Sequence, residues 1–260
     1  MFTKNLLRRL FGRYYAVRDT HSTQYKGSWR SGVYEGHGVL TYNNGSFYVG
    51  SFANGLRHGK GTYHSSTGYV FEGFWKFGKS VGQCKINYKN GDYYEGCNKN
   101  GLRHGFGTLH EKKTERIYEG TWHSGKLCGH VKVQTKSWIF DGIMPDQDGK
   151  TTGKLLYADG SSYEGKLLNY QRYGAGTYVS KQGEKIQGSW LNEMDVKCAR
   201  KLDNDGIVWR GTLKNFQPDG FMNVKLPNGH NYDGVFRQGD LLRVLSVNNQ
   251  SKSTDAYPIH

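Results

Sequence analysis

This chain of 260 residues has little of what a compact globule normally uses. Proline appears only 4 times, which excludes a proline-rich linker or stalk. The four cysteines, Cys84, Cys97, Cys128 and Cys198, are scattered without a C-x-x-C pair. That excludes the usual zinc spacings and favours reduced thiols in an intracellular protein over a disulfide frame. No apolar run approaches the roughly 20 residues of a membrane-spanning helix, so a soluble or peripheral protein is expected. Leu, Ile and Val do not gather in long runs either, and only 35% of residues are hydrophobic. Acid is scarce relative to base: the net charge is +14, a balance that suits anionic partners without naming one.

What is abundant is glycine and rings. There are 37 Gly, about twice the ordinary ~7% usage, and 14% of residues are aromatic, which argues against disorder. Both keep a register. An aromatic-x-Gly triplet starts at Tyr25, Tyr48, Phe71, Tyr94, Tyr118, Phe140, Tyr163, Ile186, Trp209 and Tyr232, with only Ile186 breaking the aromatic rule. The steps are 23 residues, apart from a 24 and a compensating 22 between Tyr94 and Phe140. A period of this size marks a stacked array in which each unit buries its apolar face on its neighbours.

One unit reads as a hairpin. Tyr48-Val49-Gly50-Ser51-Phe52 alternates with period two and reads as a strand. Ala53–His58 reads as a turn around Asn54-Gly55, Gly59–Tyr63 as the returning strand, and Ser65–Gly68 as the second turn. Tyr48, Gly50 and Phe52 then project to one face, while Gly59 and Gly61 leave room for rings to lie over bare backbone. The expected fold is all-β: an elongated single-layer antiparallel sheet of about ten consecutive 23-residue hairpins. At about 4.8 Å per strand, such a body would be on the order of 90–100 Å long.

These residues resemble the MORN (membrane occupation and recognition nexus) repeat, with its Y-x-G-x-[WF]…G-x-G order. The match runs from about Tyr25 to Asp240 and is closest at Tyr48–Tyr63 and Tyr94–Leu109, both carrying Asn-Gly-Leu-Arg-His-Gly-x-Gly-Thr. Departures fall at Thr151 and Lys197, which replace the first glycine of the returning strand, and at Ala199 and Met222, which replace the second. The resemblance implies an extended sheet of hairpins and roles in scaffolding, cytoskeletal attachment or peripheral lipid contact.

Three segments follow: 1–24, the array 25–240, and a closing strand with a polar tail at 241–260. Leu6, Leu7, Leu10 and Phe11 fall at helical spacing with Arg8, Arg9 and Arg13 between them, predicting a short basic amphipathic helix. It would cap the array, anchor it on a membrane surface, or serve as a mitochondrial presequence.

Few residues invite chemistry. The carboxylates Glu72, Glu95, Glu119, Asp141, Glu164 and Asp233 follow the rings in a row. Each is repeated without a distinguishing environment, and pairing with lysines across strands explains them better than acid–base catalysis. His58 and His104 occupy equivalent positions two units apart, too distant to share a zinc. Arg57, Arg103 and Arg172 line one edge, either as solvated turns or as a basic ridge for acidic proteins or lipid heads. Gly59-Lys60-Gly61 lacks the order of a phosphate loop. Stacking of nucleic-acid bases on the tyrosines is disfavoured, because rings at the array step are better spent on packing.

The sequence thus points to a non-enzymatic scaffold without a cofactor, metal or catalytic residue. Its partners would be other proteins, acidic cytoskeletal or axonemal components among them. Trp29, Trp75, Trp122 and Trp190 would supply docking area, and the basic turns would steer approach. A cytoskeletal or ciliary setting, the radial-spoke region included, follows from the resemblance. The alternative is a peripheral adaptor that binds anionic phospholipid through the basic turns and the N-terminal helix. Open sheet ends also permit a homodimer.

Overall fold

The computed structural model describes residues 16–20 and 23–248, and of residues 16–20 the backbone alone. The chain forms two compact units, divided between Thr135 and Lys136.

The first unit contains β1 (Ala16–Thr20), β2 (Thr23–Arg30), β3 (Val33–Tyr42), β4 (Phe47–Ala53), β5 (Leu56–His64) and β6 (Val70–Lys76). It continues with β7 (Lys79–Asn87), β8 (Tyr93–Lys99), β9 (Leu102–Glu111), β10 (Arg116–His123) and β11 (Lys126–Gln134). Each strand pairs antiparallel with the next in sequence. The second unit repeats this order in β12 (Trp138–Ile143), β13 (Lys150–Tyr157), β14 (Ser162–Leu168), β15 (Gln171–Val179) and β16 (Lys185–Trp190). It ends with β17 (Val196–Leu202), β18 (Val208–Lys214), β19 (Gln217–Lys225), β20 (Asn231–Arg237) and β21 (Asp240–Asn248), again paired consecutively. Every triplet found in the sequence lies on the first strand of a hairpin.

Two corrections concern boundaries. The turns are tighter than the sequence suggests: β4 and β5 are joined by Asn54-Gly55 alone, both at positive φ (49° and 78°). This turn twists in the sense the strands require. Arg57 and His58 therefore sit on a strand, not in a turn. Near the N-terminus, residues 16–20 are strand, not helix. The residues assigned to the helix, Leu6, Leu7, Arg8, Arg9, Leu10, Phe11 and Arg13, lie outside the described residues.

The core of each unit is a file of glycines crossing the strands. In the first unit Gly27 pairs with Gly38, Gly38 with Gly50, Gly50 with Gly61, and Gly61 with Gly73. The rings of Tyr25, Tyr48, Tyr94, Phe140 and Tyr163, each two residues before a first-strand glycine, lie on the next glycine of the file. Tyr25, Tyr48, Tyr94 and Tyr163 are fully buried this way, although one sheet supplies the backbone beneath them. Gly59 has a different task from the one expected of it. A Cβ there would meet Ser51 at an ordinary 3.4 Å, but its φ is +66°, a value that glycine adopts without strain. It forms the bulge that lets the register skip Ser51, between Gly50 and Phe52.

That bulge explains why the ring is tyrosine. A bulge interrupts the ladder and leaves a residue unpaired. The skipped residues are Ser28, Ser51, Cys97 and Lys166. Their carbonyls accept from the hydroxyls of Tyr25 (2.9 Å), Tyr48 (3.1 Å), Tyr94 (2.8 Å) and Tyr163 (2.9 Å). A buried phenol thus finds its acceptor, and an orphaned carbonyl its donor.

Candidate functional site

The ring-bearing face is where the structure gathers most of the residues singled out by sequence. Trp75, Trp122 and Trp190 are buried, between 1% and 7% exposed, and Trp29 is half-buried. Each of the three buried indoles donates to the carbonyl of a glycine in the file: Trp75 to Gly61 (3.3 Å), Trp122 to Gly107 (2.9 Å) and Trp190 to Gly176 (3.1 Å). They are parts of the packing and offer little free docking area.

The arginines lie against them. The guanidinium of Arg57 sits 4.0 Å from the Trp75 ring centre, and that of Arg103 sits 4.1 Å from Trp122. In the second unit Arg172 lies 4.9 Å from Trp190. Each arginine belongs to one hairpin and each tryptophan to the next, so the cation–π contact joins neighbours. A second bond reinforces it. Arg57 Nη2 donates to the Gly78 carbonyl and Arg103 Nη2 to the Gly125 carbonyl, both at 2.9 Å. Arg172, only 8% exposed, uses Nε and Nη2 on Glu193, each at 2.9 Å. The basic ridge expected from the sequence is thus a set of clamps between repeats. Lys79 and Lys126, at the starts of β7 and β11, face solvent.

The histidines are not brought together. His58 packs edge-on to Phe77 at 5.5 Å, and His104 lies 5.3 Å from His123. Among the described residues no three His, Cys, Asp or Glu side chains gather in metal-binding range. The carboxylates lie on the opposite face, and Glu95 shows the expected pairing with a lysine. Lys85 stands between Glu72 and Glu95 in the register and bonds Glu95 at 2.7 Å. Asp233 accepts from Asn223 (2.9 Å) and Ser246 (2.7 Å), which hold its carboxyl below the usual range.

What sequence reasoning missed is an open hollow on the ring-bearing face of the first unit. It has a volume of about 730 Å³ and is lined by Tyr42, Arg57, Tyr63, Tyr69, Trp75 and Gly101, among others. Its tyrosines form a ladder, with Tyr42 and Tyr63 6.2 Å apart and Tyr63 and Tyr69 6.5 Å, and Tyr88 continues it beyond the hollow, 6.0 Å from Tyr69. Burial raises the Tyr42, Tyr69 and Tyr88 phenols above their ordinary value. The available signal was that Tyr42, Tyr63, Tyr69 and Tyr88 lie outside the triplets, at the far ends of the hairpins.

Five stretches of the chain, residues 25–47, 48–68, 71–93, 94–110 and 118–130, match the MORN repeat. Alsin from Mus musculus is 29% identical over 210 residues, covering 77% of this chain and 10% of Alsin. Alsin from Homo sapiens is 29% identical over 196 residues, covering 73% of this chain and 9% of Alsin. The chain thus spans about a tenth of the length of these relatives. Among solved structures, the G-box domain of the microcephaly protein CPAP is 13% identical with a TM-score of 0.46, covering 74% of this chain and 100% of that one. The Drosophila melanogaster SAS-4 TCP domain, solved with a proline-rich motif of Ana2, is 12% identical with a TM-score of 0.36. It covers 68% of this chain and 84% of its own. With TM-scores below 0.5, neither likeness bears on the function of this chain.

Proposed function

From the premise that residues 25–130 are a run of MORN repeats, we propose that this chain is a non-enzymatic scaffold that docks other proteins. The observation that carries this reading is the division of labour in the first unit. Tyrosines, tryptophans and arginines are spent on holding hairpins together, and the hollow they leave is apolar, open and rimmed by base. Apolar concavity with a few fixed polar groups is what recognition surfaces share, and surplus base steers acidic partners towards it.

The setting in this proposal is a cytoskeletal or axonemal assembly, the radial spoke included. The frequent occurrence of MORN-type repeats in such structures supports it. Proximity labelling of the tagged chain in its native cell tests the proposal, with recovery in the detergent-insoluble fraction as the expected result. Binding to anionic vesicles that disappears when residues 1–24 are deleted, without a labelled cytoskeletal neighbour, would replace the scaffold with a phospholipid adaptor.

Self-association belongs to the same proposal. Leu241, Leu242, Val244, Leu245 and Val247 on β21 are each at least 46% exposed, and an apolar strand with one edge unpaired among the described residues invites pairing with a second copy. Sedimentation velocity of the chain and of Leu245→Lys tests this, a monomer in both cases counting against it.

A further inference from the structure

The same hollow occurs in both units, filled in one and open in the other. In the second unit Arg172 is surrounded by the rings of Tyr178 (4.8 Å), Trp190 (4.9 Å) and Phe216 (5.3 Å). Phe216 lies over this group, 5.5 Å from Tyr178 and 6.2 Å from Trp190. Glu193 closes the other side, bonding the arginine side chain and also accepting from its backbone N–H at 2.6 Å.

Counting from the glycine file gives the equivalent residues of the first unit. Arg57 stands four residues before Gly61 as Arg172 stands before Gly176. Tyr63 and Trp75 correspond to Tyr178 and Trp190. Phe216 follows Trp190 by 26 residues (216 − 190), and the residue 26 after Trp75 (101 − 75) is Gly101. The ring is therefore absent. The acid is absent too: Arg57 donates to the Gly78 carbonyl instead, and among the described residues it has no carboxylate in ion-pair range. What remains is the open hollow of about 730 Å³.

The backbone takes the same turn at both places. Asn215-Phe216 forms a left-handed turn at φ 49° and 64°, and Asn100-Gly101 forms one at 54° and 82°. Glycine adopts that conformation freely, whereas a bulky residue does so under strain that surrounding contacts must offset. The chain holds Phe216 there nonetheless. It does the same with Tyr170 (φ 64°), whose ring covers Trp138 at 5.3 Å and Phe140 at 5.1 Å.

We infer that the hollow of the first unit is a docking site for a partner peptide bearing an aromatic side chain next to a carboxylate. The aromatic ring takes the place of Phe216 and stacks on Tyr63 and Trp75. The carboxylate takes the place of Glu193 and bonds Arg57, with exposed Lys79 at the rim adding attraction. This specifies the partner chemistry of the scaffold proposed above and rests on that reading.

Fluorescence anisotropy on the full chain tests it, with a labelled peptide Gly-Ser-Glu-Phe-Glu-Ser-Gly as probe. Saturable binding is expected, with affinity falling about ten-fold or more when Ala replaces Phe or Gln replaces both Glu, as for an anchor residue. Gly101→Phe supplies the missing ring from within and should weaken the probe by a similar factor, with circular dichroism unchanged. If that variant does not fold, Arg57→Met carries the test with the same expected loss. Absence of saturable binding, equal affinity for the Phe and Ala peptides, or undiminished binding by a folded Gly101→Phe overturns the site. If Gly101→Phe still labels the same cellular neighbours as the parent chain, the hollow is not the docking site and the scaffold reading stands.

Discussion

The ring of Tyr48 lies flat on Gly61 of the adjoining strand, so close that a Cβ on Gly61 would meet the ring carbon Cε2 at 2.5 Å and the hydroxyl nearer still. The same relation joins Tyr25 to Gly38, Tyr94 to Gly107, Phe140 to Gly153 and Tyr163 to Gly176. Other hairpins place a larger residue at the second position. Cys84 meets Phe71 and Ala199 replaces glycine beside Ile186, while Val131 and Met222 are buried beside Tyr118 and Trp209, which are only half-buried.

Gly61→Ala should therefore destabilise the first unit by about 1–3 kcal/mol, the range for overpacking a close-fitted core. The backbone can adopt alanine here, since Gly61 has no left-handed φ, so the cost is steric. Combining it with Tyr48→Phe, which removes the nearest atom, should recover part of the loss. Urea unfolding of the four-member cycle measures a coupling of about 0.5–3 kcal/mol. Strict additivity would show that ring and glycine do not share one space.

The clamps should differ in strength. Arg57→Met removes one charge-assisted bond to a carbonyl and a cation–π contact, a loss of about 1–2 kcal/mol. Arg172→Met additionally strands Glu193, a partner that is 37% exposed. Solvent screens that charge, so the cost should be about 2–3 kcal/mol, below the ~3–5 of a fully buried pair. Hydrogen exchange on β5–β7 and β15–β17 locates each loss, because neighbour contacts carry the stability of repeat proteins. Equal effects in both units would argue against the role given to Glu193.

Thiol reactivity should follow burial. Cys84 occupies a glycine position in the file, and burial pushes its thiol up to about 12, far from the thiolate form that alkylating agents attack. Cys198 is exposed. Iodoacetamide at pH 8 followed by peptide mapping should label Cys198 well before Cys84, and rapid labelling of Cys84 would mean that the file opens readily.

Much of the frame was legible because each signal is local. The Tyr48-x-Gly50-x-Phe52 alternation and the Asn54-Gly55 turn need only period two and the freedom of glycine at positive φ. The clamps were not legible, since Arg57 and Gly78 are 21 residues apart and meet only through the register of two hairpins. The turn prediction misplaced Arg57 for the same reason: a charged residue after Asn-Gly looks solvated until the neighbouring indole is in place. The departures at Ala199 and Met222 read as damage in sequence, but in three dimensions both side chains are buried in the core. The tryptophans could be listed from sequence, but their burial depends on rings contributed by other repeats.

Alkaline pH should unfold the protein through its tyrosines. Burial raises the phenols of Tyr25 and Tyr163 to about 12, and it pushes Tyr48, Tyr94 and Tyr157 higher still. In the unfolded chain these groups ionise near 10. The folded pKa is the raised one, so the contribution to stability is fully present below pH about 10. It is lost as pH climbs through about 10 to 12, where only the unfolded chain releases its protons. Each tyrosine kept neutral by the fold adds a slope of about 1.4 kcal/mol per pH unit in that window. Urea midpoints should therefore stay level from pH 7 to 9 and then fall steeply, with the tyrosinate absorbance near 295 nm rising in two stages. The second stage, from the buried rings, coincides with loss of structure. A single tyrosinate transition near pH 10 with the sheet intact would mean that the glycine file does not seal its rings from water.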